Sequence, residues 1–78
     1  MTINTDKACY TLRYAEPNSP RLLVTKMSDH PREGENKMII GRPYLVEMAE
    51  AKIGSPMYMY FEDVISKTTR VQTVVGNL

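Results

Sequence analysis

The stretch Met57-Tyr58-Met59-Tyr60-Phe61-Glu62 decides the fold class, because it alternates regularly and consists largely of residues that prefer strands. Met57, Met59 and Phe61 fall on one face, and the two tyrosines fall on the other. Residues 68–75, which follow after a short polar segment, are β-branched at six of eight positions and are poorly suited to a helix. The two segments therefore predict an antiparallel pair of strands.

Two further strands are predicted toward the N-terminus. Residues Cys9–Ala15 alternate between the two faces of a strand, and Leu22–Met27 is a short apolar run rich in strand formers. Turn-forming residues separate these segments, since Glu16–Pro20 contains two prolines and an Asn-Ser pair. A longer polar break covers Ser28–Asn36, and Gly54-Ser55-Pro56 forms a third. No break is long enough for an interdomain linker, so the whole chain is expected to form one domain.

Residues Met38–Ile53 fit either a helix or a strand. A helix over residues 43–53 would begin with Pro43 at its first position and end at Gly54, with an apolar stripe between them. A strand agrees better with the neighbours, because residues 38–40 already look extended and the flanking segments are predicted strands. We expect a strand in the first half of this segment and leave the second half open.

Five short strands joined by tight turns, in a chain of this size, predict a mainly β protein. The expected architecture is a small five-stranded antiparallel barrel, SH3-like or OB-like in the number and spacing of its segments. The alternative is an α+β sheet covered by one helix at residues 43–53.

Composition limits the classes of function. The chain has 78 residues, 10 Lys and Arg against 9 Asp and Glu, and one cysteine. A net charge of +1 gives no global field that would draw it onto nucleic acid or an anionic membrane. Without a signal-peptide pattern or an apolar run of spanning length, a cytoplasmic protein with no membrane partner is expected. The core of so short a chain is small, and a homodimer would bury more apolar surface.

Catalytic and metal-binding patterns are weak. Cys9 has no neighbouring base, and Ser28-Asp29-His30 holds the residue types of a serine triad but cannot adopt its geometry as sequence neighbours. With Glu33 and Glu35 this loop offers hard oxygen ligands, but it lacks the spacing of a calcium loop and has no cysteine for zinc. The expectation is a solvated loop whose side chains bond nearby backbone amides. We therefore expect no enzyme activity, no cofactor and no bound metal.

Both faces of the 57–62 strand carry large apolar side chains, whereas a half-exposed strand has polar residues on one face. The preferred interpretation is a central strand buried on both faces, with the hydroxyls of Tyr58 and Tyr60 reaching partners at the surface. The alternative is that Tyr58 and Tyr60 form an exposed aromatic platform, which stacks on bases or anchors a protein partner.

Polar residues of the last strand are candidates for the same surface. If the two C-terminal strands pair, Lys67, Arg70 and Gln72 come near the tyrosines, which suits a protein interface or a face that binds single strands. The acidic pair Glu62-Asp63 beside the tyrosines would repel phosphates, and it therefore favours a protein partner over nucleic acid.

The sequence thus predicts a non-catalytic small binding module that acts by protein–protein interaction, regulatory or inhibitory in type. One alternative is a nucleic-acid-binding small β-barrel that uses the tyrosines and nearby basic residues. A second alternative is a structural subunit of a homo-oligomer.

Overall fold

A computed structural model describes the backbone of all 78 residues and every side chain except those of Met48 and Val64. The chain forms seven strands connected by turns and loops. In chain order they are β1 (Thr2–Thr5), β2 (Ala8–Tyr14), β3 (Leu22–Asp29), β4 (Pro43–Val46), β5 (Met48–Glu50), β6 (Pro56–Phe61) and β7 (Val64–Val75).

All neighbouring strands pair antiparallel in the order β4-β3-β2-β1-β7-β6-β5, and the sheet curls into a half-barrel. β4 and β5 lie at opposite ends of this order although they are consecutive in the chain. Glu47 joins them, and its backbone N–H donates to the carbonyl of Tyr60 at 2.8 Å. Nearby, the ring centroids of Tyr44 and Phe61 are 5.4 Å apart. The two ends of the sheet therefore approach each other around the core.

The concave face of the sheet holds the core, because strand alternation sends every second side chain there. Tyr10 on β2 and Met59 on β6 are both fully buried in this way. The loop between β3 and β4 adds Met38, which is 6% exposed. The buried apolar residues are Ile3, Ala8, Tyr10, Leu12, Leu22, Val24, Met38, Val46, Met57, Met59 and Val71.

The prediction of a mainly β protein is confirmed, and the four strands predicted outside the ambiguous segment correspond to β2, β3, β6 and most of β7. A closed five-stranded barrel is wrong, since seven strands form a half-barrel. β1 has one apolar residue among its four and therefore no strand pattern of its own. Pairing with β2 and β7 on its two sides holds it in the sheet.

The alternative of a helix at residues 43–53 is wrong. β4 and β5 occupy its first part, and β4 pairs with β3 so that Leu22 lies opposite Val46. Gly54 ends no helix; its φ of 91° belongs to a turn, where its N–H donates to the carbonyl of Val71 at 2.9 Å. The described chain contains no helix that could cross a membrane.

β7 is twelve residues long, and irregularities in its pairing change which side chains face the core. Simple alternation would place Val71 and Thr73 on one face. The register with β1 shifts between these two residues, so Val71 is buried whereas Thr73 is exposed. Asn4 donates a hydrogen bond from Nδ2 to the hydroxyl of Thr73 at 3.0 Å, and Val74 packs against the core instead.

The two-residue turn Glu62-Asp63 joins β6 to β7. Its φ angles are 50° and 59°, both in the left-handed region. Two consecutive positive φ values are typical of the type I′ turn, in which Asn-Gly is the preferred sequence. Two acidic residues with full side chains therefore occupy backbone positions that carry a conformational cost.

Candidate functional site

Tyr58 and Tyr60 lie on the convex, outer face of β6 and are 48% and 40% exposed. The expectation that this strand is buried on both faces is therefore wrong. Met57 and Met59 occupy the inner face and are fully buried. All seven strands belong to one sheet, so within the described chain no second layer packs on the convex face.

The tyrosine patch comprises Tyr58, Tyr60, Ile65 and Lys67. The register of β6 and β7 places Tyr58 opposite Lys67 and Tyr60 opposite Ile65. Side chains opposite each other in an antiparallel pair have Cβ atoms about 5 Å apart. Ile65 is 61% exposed, and Lys67 is exposed as well. The patch is therefore one continuous surface of two aromatic rings, an aliphatic side chain and a cation.

Arg70 and Gln72 lie farther along β7 and are oriented by a different group. Arg70 Nε is 3.3 Å from Oδ2 of Asp6, and Gln72 Nε2 donates to the other oxygen of that carboxylate. Arg70 pairs with Pro56, at the start of β6. Of the predicted site residues, the structure therefore brings both tyrosines together with Lys67 and leaves the other two at the margin.

Acidic side chains border the tyrosine patch. Glu50 of β5 lies opposite Tyr58, and both line a groove of about 300 Å³ that also includes Lys52. A second groove of about 240 Å³ is lined by Glu47 and by the turn Glu62-Asp63. Four carboxylates therefore surround the patch, and they outnumber the two lysines there, Lys52 of the first groove and Lys67 of the patch. The border of the patch is therefore net acidic.

A buried carboxylate packs against β1, β2 and β7. Glu35, in the loop between β3 and β4, is only 7% exposed. Its Oε1 accepts hydrogen bonds from the Tyr10 hydroxyl at 2.7 Å and from Thr5 Oγ1 at 2.8 Å. Its Oε2 accepts from the N–H of Thr69 at 2.6 Å and from that residue's hydroxyl. The expectation of a solvated loop is therefore wrong for this part of it. We name these four residues the Glu35 cluster.

Lys26 occupies an inward position of β3 and is fully buried. Its Nζ donates to Asp29 Oδ2 at 2.7 Å and to the carbonyl of Glu35 at 2.6 Å. Partial burial raises the pKa of Asp29, but the hydrogen bonds from Lys26 and from two backbone N–H groups outweigh it, so the pKa lies below its usual value. Burial, aided by the bond to Glu35, raises the pKa of Tyr10, which keeps its hydroxyl a donor.

The prediction that the polar loop bonds its own backbone is confirmed at Asp29. Its Oδ1 accepts from the N–H of His30 at 2.8 Å and from the N–H of Glu35 at 3.2 Å. His30 Nδ1 in turn accepts from the N–H groups of Arg32 at 3.2 Å and Glu33 at 3.0 Å. These side chains organise the turn that carries Glu35 into the core.

Two more of the polar side chains weighed for catalysis and metal binding have separate surroundings. Glu33 forms an exposed ion pair with Lys7, at 3.4 Å. Cys9 is a half-buried free thiol whose register partners are Asn4 on β1 and Ser28 on β3. Within the described residues, no group of three metal-ligating side chains is assembled.

Comparison with protein-family models, with curated proteins and with solved structures finds no match for this chain. The Glu35 cluster is buried, and each carboxylate oxygen already accepts two hydrogen bonds. The tyrosine patch is exposed and offers large rings to solvent. The tyrosine patch is therefore the candidate site.

Proposed function

We propose that this chain is a non-catalytic module that binds another protein through the tyrosine patch, and that it regulates or inhibits by occupying the partner's surface. The observation that carries the proposal is the exposure of Tyr58 and Tyr60 on adjacent outward positions of β6. Tyrosines on a rigid strand present large contact areas and lose little side-chain entropy on binding. Ile65 extends the apolar area on the neighbouring strand.

The charges around the patch support a protein rather than a nucleic acid. Glu50 on one side and the turn Glu62-Asp63 on the other would repel a phosphate backbone. A complementary protein surface offers arginine or lysine to these carboxylates and places apolar groups on the rings. A cation seated on an exposed ring contributes about 0.5–1 kcal/mol in addition.

The test begins with capture of the partner from the native cell, with and without nuclease, and continues with the purified partner in calorimetry. Tyr58→Thr combined with Tyr60→Thr should weaken binding by at least about thirtyfold, since truncation of even one aromatic hot spot costs about 2 kcal/mol or more. Threonine keeps the preference for a strand, so the melting temperature should change by no more than about 3 °C.

Tyr14→Thr is the matched control, because Tyr14 is a 50% exposed tyrosine at the end of β2. It should leave affinity unchanged. A folded double variant that binds with full strength would contradict the proposal. Capture that depends on nucleic acid, with affinity falling steeply as salt rises, would favour the nucleic-acid-binding alternative instead. Sedimentation of the free protein tests the homo-oligomer.

A further inference from the structure

The concave side of the half-barrel has an open mouth between the β3–β4 loop and the β6–β7 turn. It forms a cavity of about 520 Å³, the largest among the described pockets. This volume lies in the range of small-molecule sites, which are frequently found at the mouths of β-barrels. Its lining includes the apolar and aromatic side chains of Met38, Ile39, Tyr44 and Phe61 and the cations Lys37 and Arg42.

The walls of the mouth are apolar and aromatic. Tyr44 and Phe61 meet with their ring centroids 5.4 Å apart and their planes tilted by 50°. Met38 contributes a thioether that is 6% exposed, and Ile39 stands 58% exposed at the entrance. Such walls suit a flat or branched apolar body, because ring faces and a thioether adapt to aromatic groups.

The entrance carries two cations, Lys37 and Arg42, and a single carboxylate, Glu62. The guanidinium of Arg42 lies 5.2 Å from the centroid of the Tyr44 ring, which fixes it beside the mouth. Among the described side chains, neither Arg42 nor Lys37 forms an ion pair. Glu62 is the carboxylate that lines the cavity, so the three charges sum to +1.

The hydroxyl of Tyr44 adds a neutral hydrogen-bond donor to the two cations at the entrance. The Tyr44 hydroxyl oxygen accepts the N–H of Ile39 at 3.0 Å, which holds the ring in place. Its own proton has no acceptor among the described residues, so it is free to donate to a ligand. The two cations and the hydroxyl donor suit a carboxylate, and the aromatic walls below them suit an apolar ring.

We infer that the mouth of the half-barrel binds a small organic acid, in which a carboxylate is attached to an aromatic body. The carboxylate lies between Lys37 and Arg42 and accepts a hydrogen bond from the Tyr44 hydroxyl, while the aromatic body packs on Phe61 and Met38. This site is independent of the proposed function, because Phe61 faces inward whereas Tyr58 and Tyr60 face outward on the same strand.

The test is a titration of ¹⁵N-labelled protein with 3-phenylpropionate and with its uncharged amide. The acid should shift the backbone amide signals of Met38, Ile39 and Phe61, and should bind about tenfold more tightly than the amide. Lys37→Gln combined with Arg42→Gln should weaken the acid by about tenfold and leave the amide unchanged. Arg13→Gln, at an exposed arginine of β2 outside the mouth, is the control and should change neither.

Four outcomes would overturn the inference. They are equal affinity of acid and amide, shifts confined to other surfaces, an unaffected double glutamine variant, and no binding of benzoate, 3-phenylpropionate or 4-phenylbutyrate up to about 10 mM. A short peptide ending in phenylalanine provides the last arm. If its free-carboxylate form binds more than about tenfold better than 3-phenylpropionate, the site takes chain ends and not small acids.

Discussion

Lys26 and Asp29 show how one buried cation is accommodated in a small core. The Lys26 ammonium is fully enclosed and has two acceptors, the Asp29 carboxylate and the carbonyl of Glu35. The Asp29 side chain remains 13% exposed and holds two backbone N–H groups with its other oxygen. A Cβ on Gly34 would come within 2.9 Å of Asp29 Oδ2, so glycine lets the loop close over this carboxylate.

Removing the charge of Asp29 should therefore cost more than removing that of Lys26. Asp29→Asn leaves a buried ammonium without its counter-charge and should lower the free energy of unfolding by about 3 kcal/mol at pH 7. Lys26→Met removes the buried charge itself and should cost less, because Asp29 still reaches water and backbone donors. Urea unfolding of both variants measures the two changes in the free energy of unfolding. Equal changes would show that the loss in Asp29→Asn does not come from leaving the Lys26 ammonium unpaired.

The contribution of Asp29 to stability depends on pH in a definite direction. The pKa of Asp29 is lowered in the folded protein, so its contribution to stability is complete above the unfolded value of about 3.9 and is lost as pH falls through the folded value. The stability gap between the native chain and Asp29→Asn should therefore narrow below about pH 4. A gap that stays constant down to pH 2 would contradict this assignment.

The β6–β7 hairpin combines strong strands with a costly turn. Alternation and pairing fix β6 and β7 on either side, so the chain must reverse direction within two residues. Glu62 and Asp63 do so with φ angles of 50° and 59°, where residues other than glycine, asparagine and aspartate are uncommon. Both acidic side chains of the turn line the groove beside the tyrosine patch, and Glu62 also lines the mouth.

Glu62→Asn combined with Asp63→Gly should stabilise the protein by about 1 kcal/mol, because Asn-Gly is the sequence that this turn geometry prefers. Thermal unfolding should show a rise of several degrees in melting temperature. Gly54→Ala is the opposing control, since a Cβ there meets open space but φ is 91°, so any loss comes from the backbone alone. A hairpin variant less stable than the native chain would show that the acidic side chains stabilise the turn.

At the scale of the whole molecule, stability should follow position in the sheet. β1 has three strands on each side of it in the sheet order, whereas β5 is a three-residue strand at one end. Central strands bury their hydrogen bonds between neighbours, while an end strand opens by local fluctuation.

Hydrogen exchange followed by NMR should reflect this order. The hydrogen-bonded amides of β1 and of the half of β7 that pairs with it should exchange slowest, at rates set by global unfolding. The amides of β5 should exchange fastest among the strands. Equal protection of β5 and β1 would mean that the half-barrel is closed more tightly than its pairing indicates.

Sequence patterns predicted the strands that carry clear alternation or a β-branched run, and they failed where neighbours decide. β1 has little signal because it is polar, and the helical end signals at Pro43 and Gly54 were outweighed by pairing of β4 with β3. Tyr58 and Tyr60 could not be placed, because alternation shows that they share a face but not whether a second layer covers it.

The buried polar residues were the least predictable part. Lys26 stands in phase with Leu22 and Val24 on β3, and a lysine at an inward position is a sequence signal that a buried acceptor exists. Nothing local identifies Glu35, because its partners Thr5 and Thr69 lie 30 and 34 residues away. The mouth was equally unpredictable, since its walls come from segments that only the curled sheet brings together.

The pairing of β1 with β7 places Thr2 opposite Val75, so the sheet is completed by residues that are far apart in the chain. Such a high contact order is typical of proteins that fold in milliseconds to seconds. On the ribosome, the β2–β3 and β6–β7 hairpins are free to form early, but one side of β1 stays unpaired until residue 75 has left the exit tunnel. During that interval the nascent chain presents an open strand edge, which is the state for which chaperones and aggregation compete.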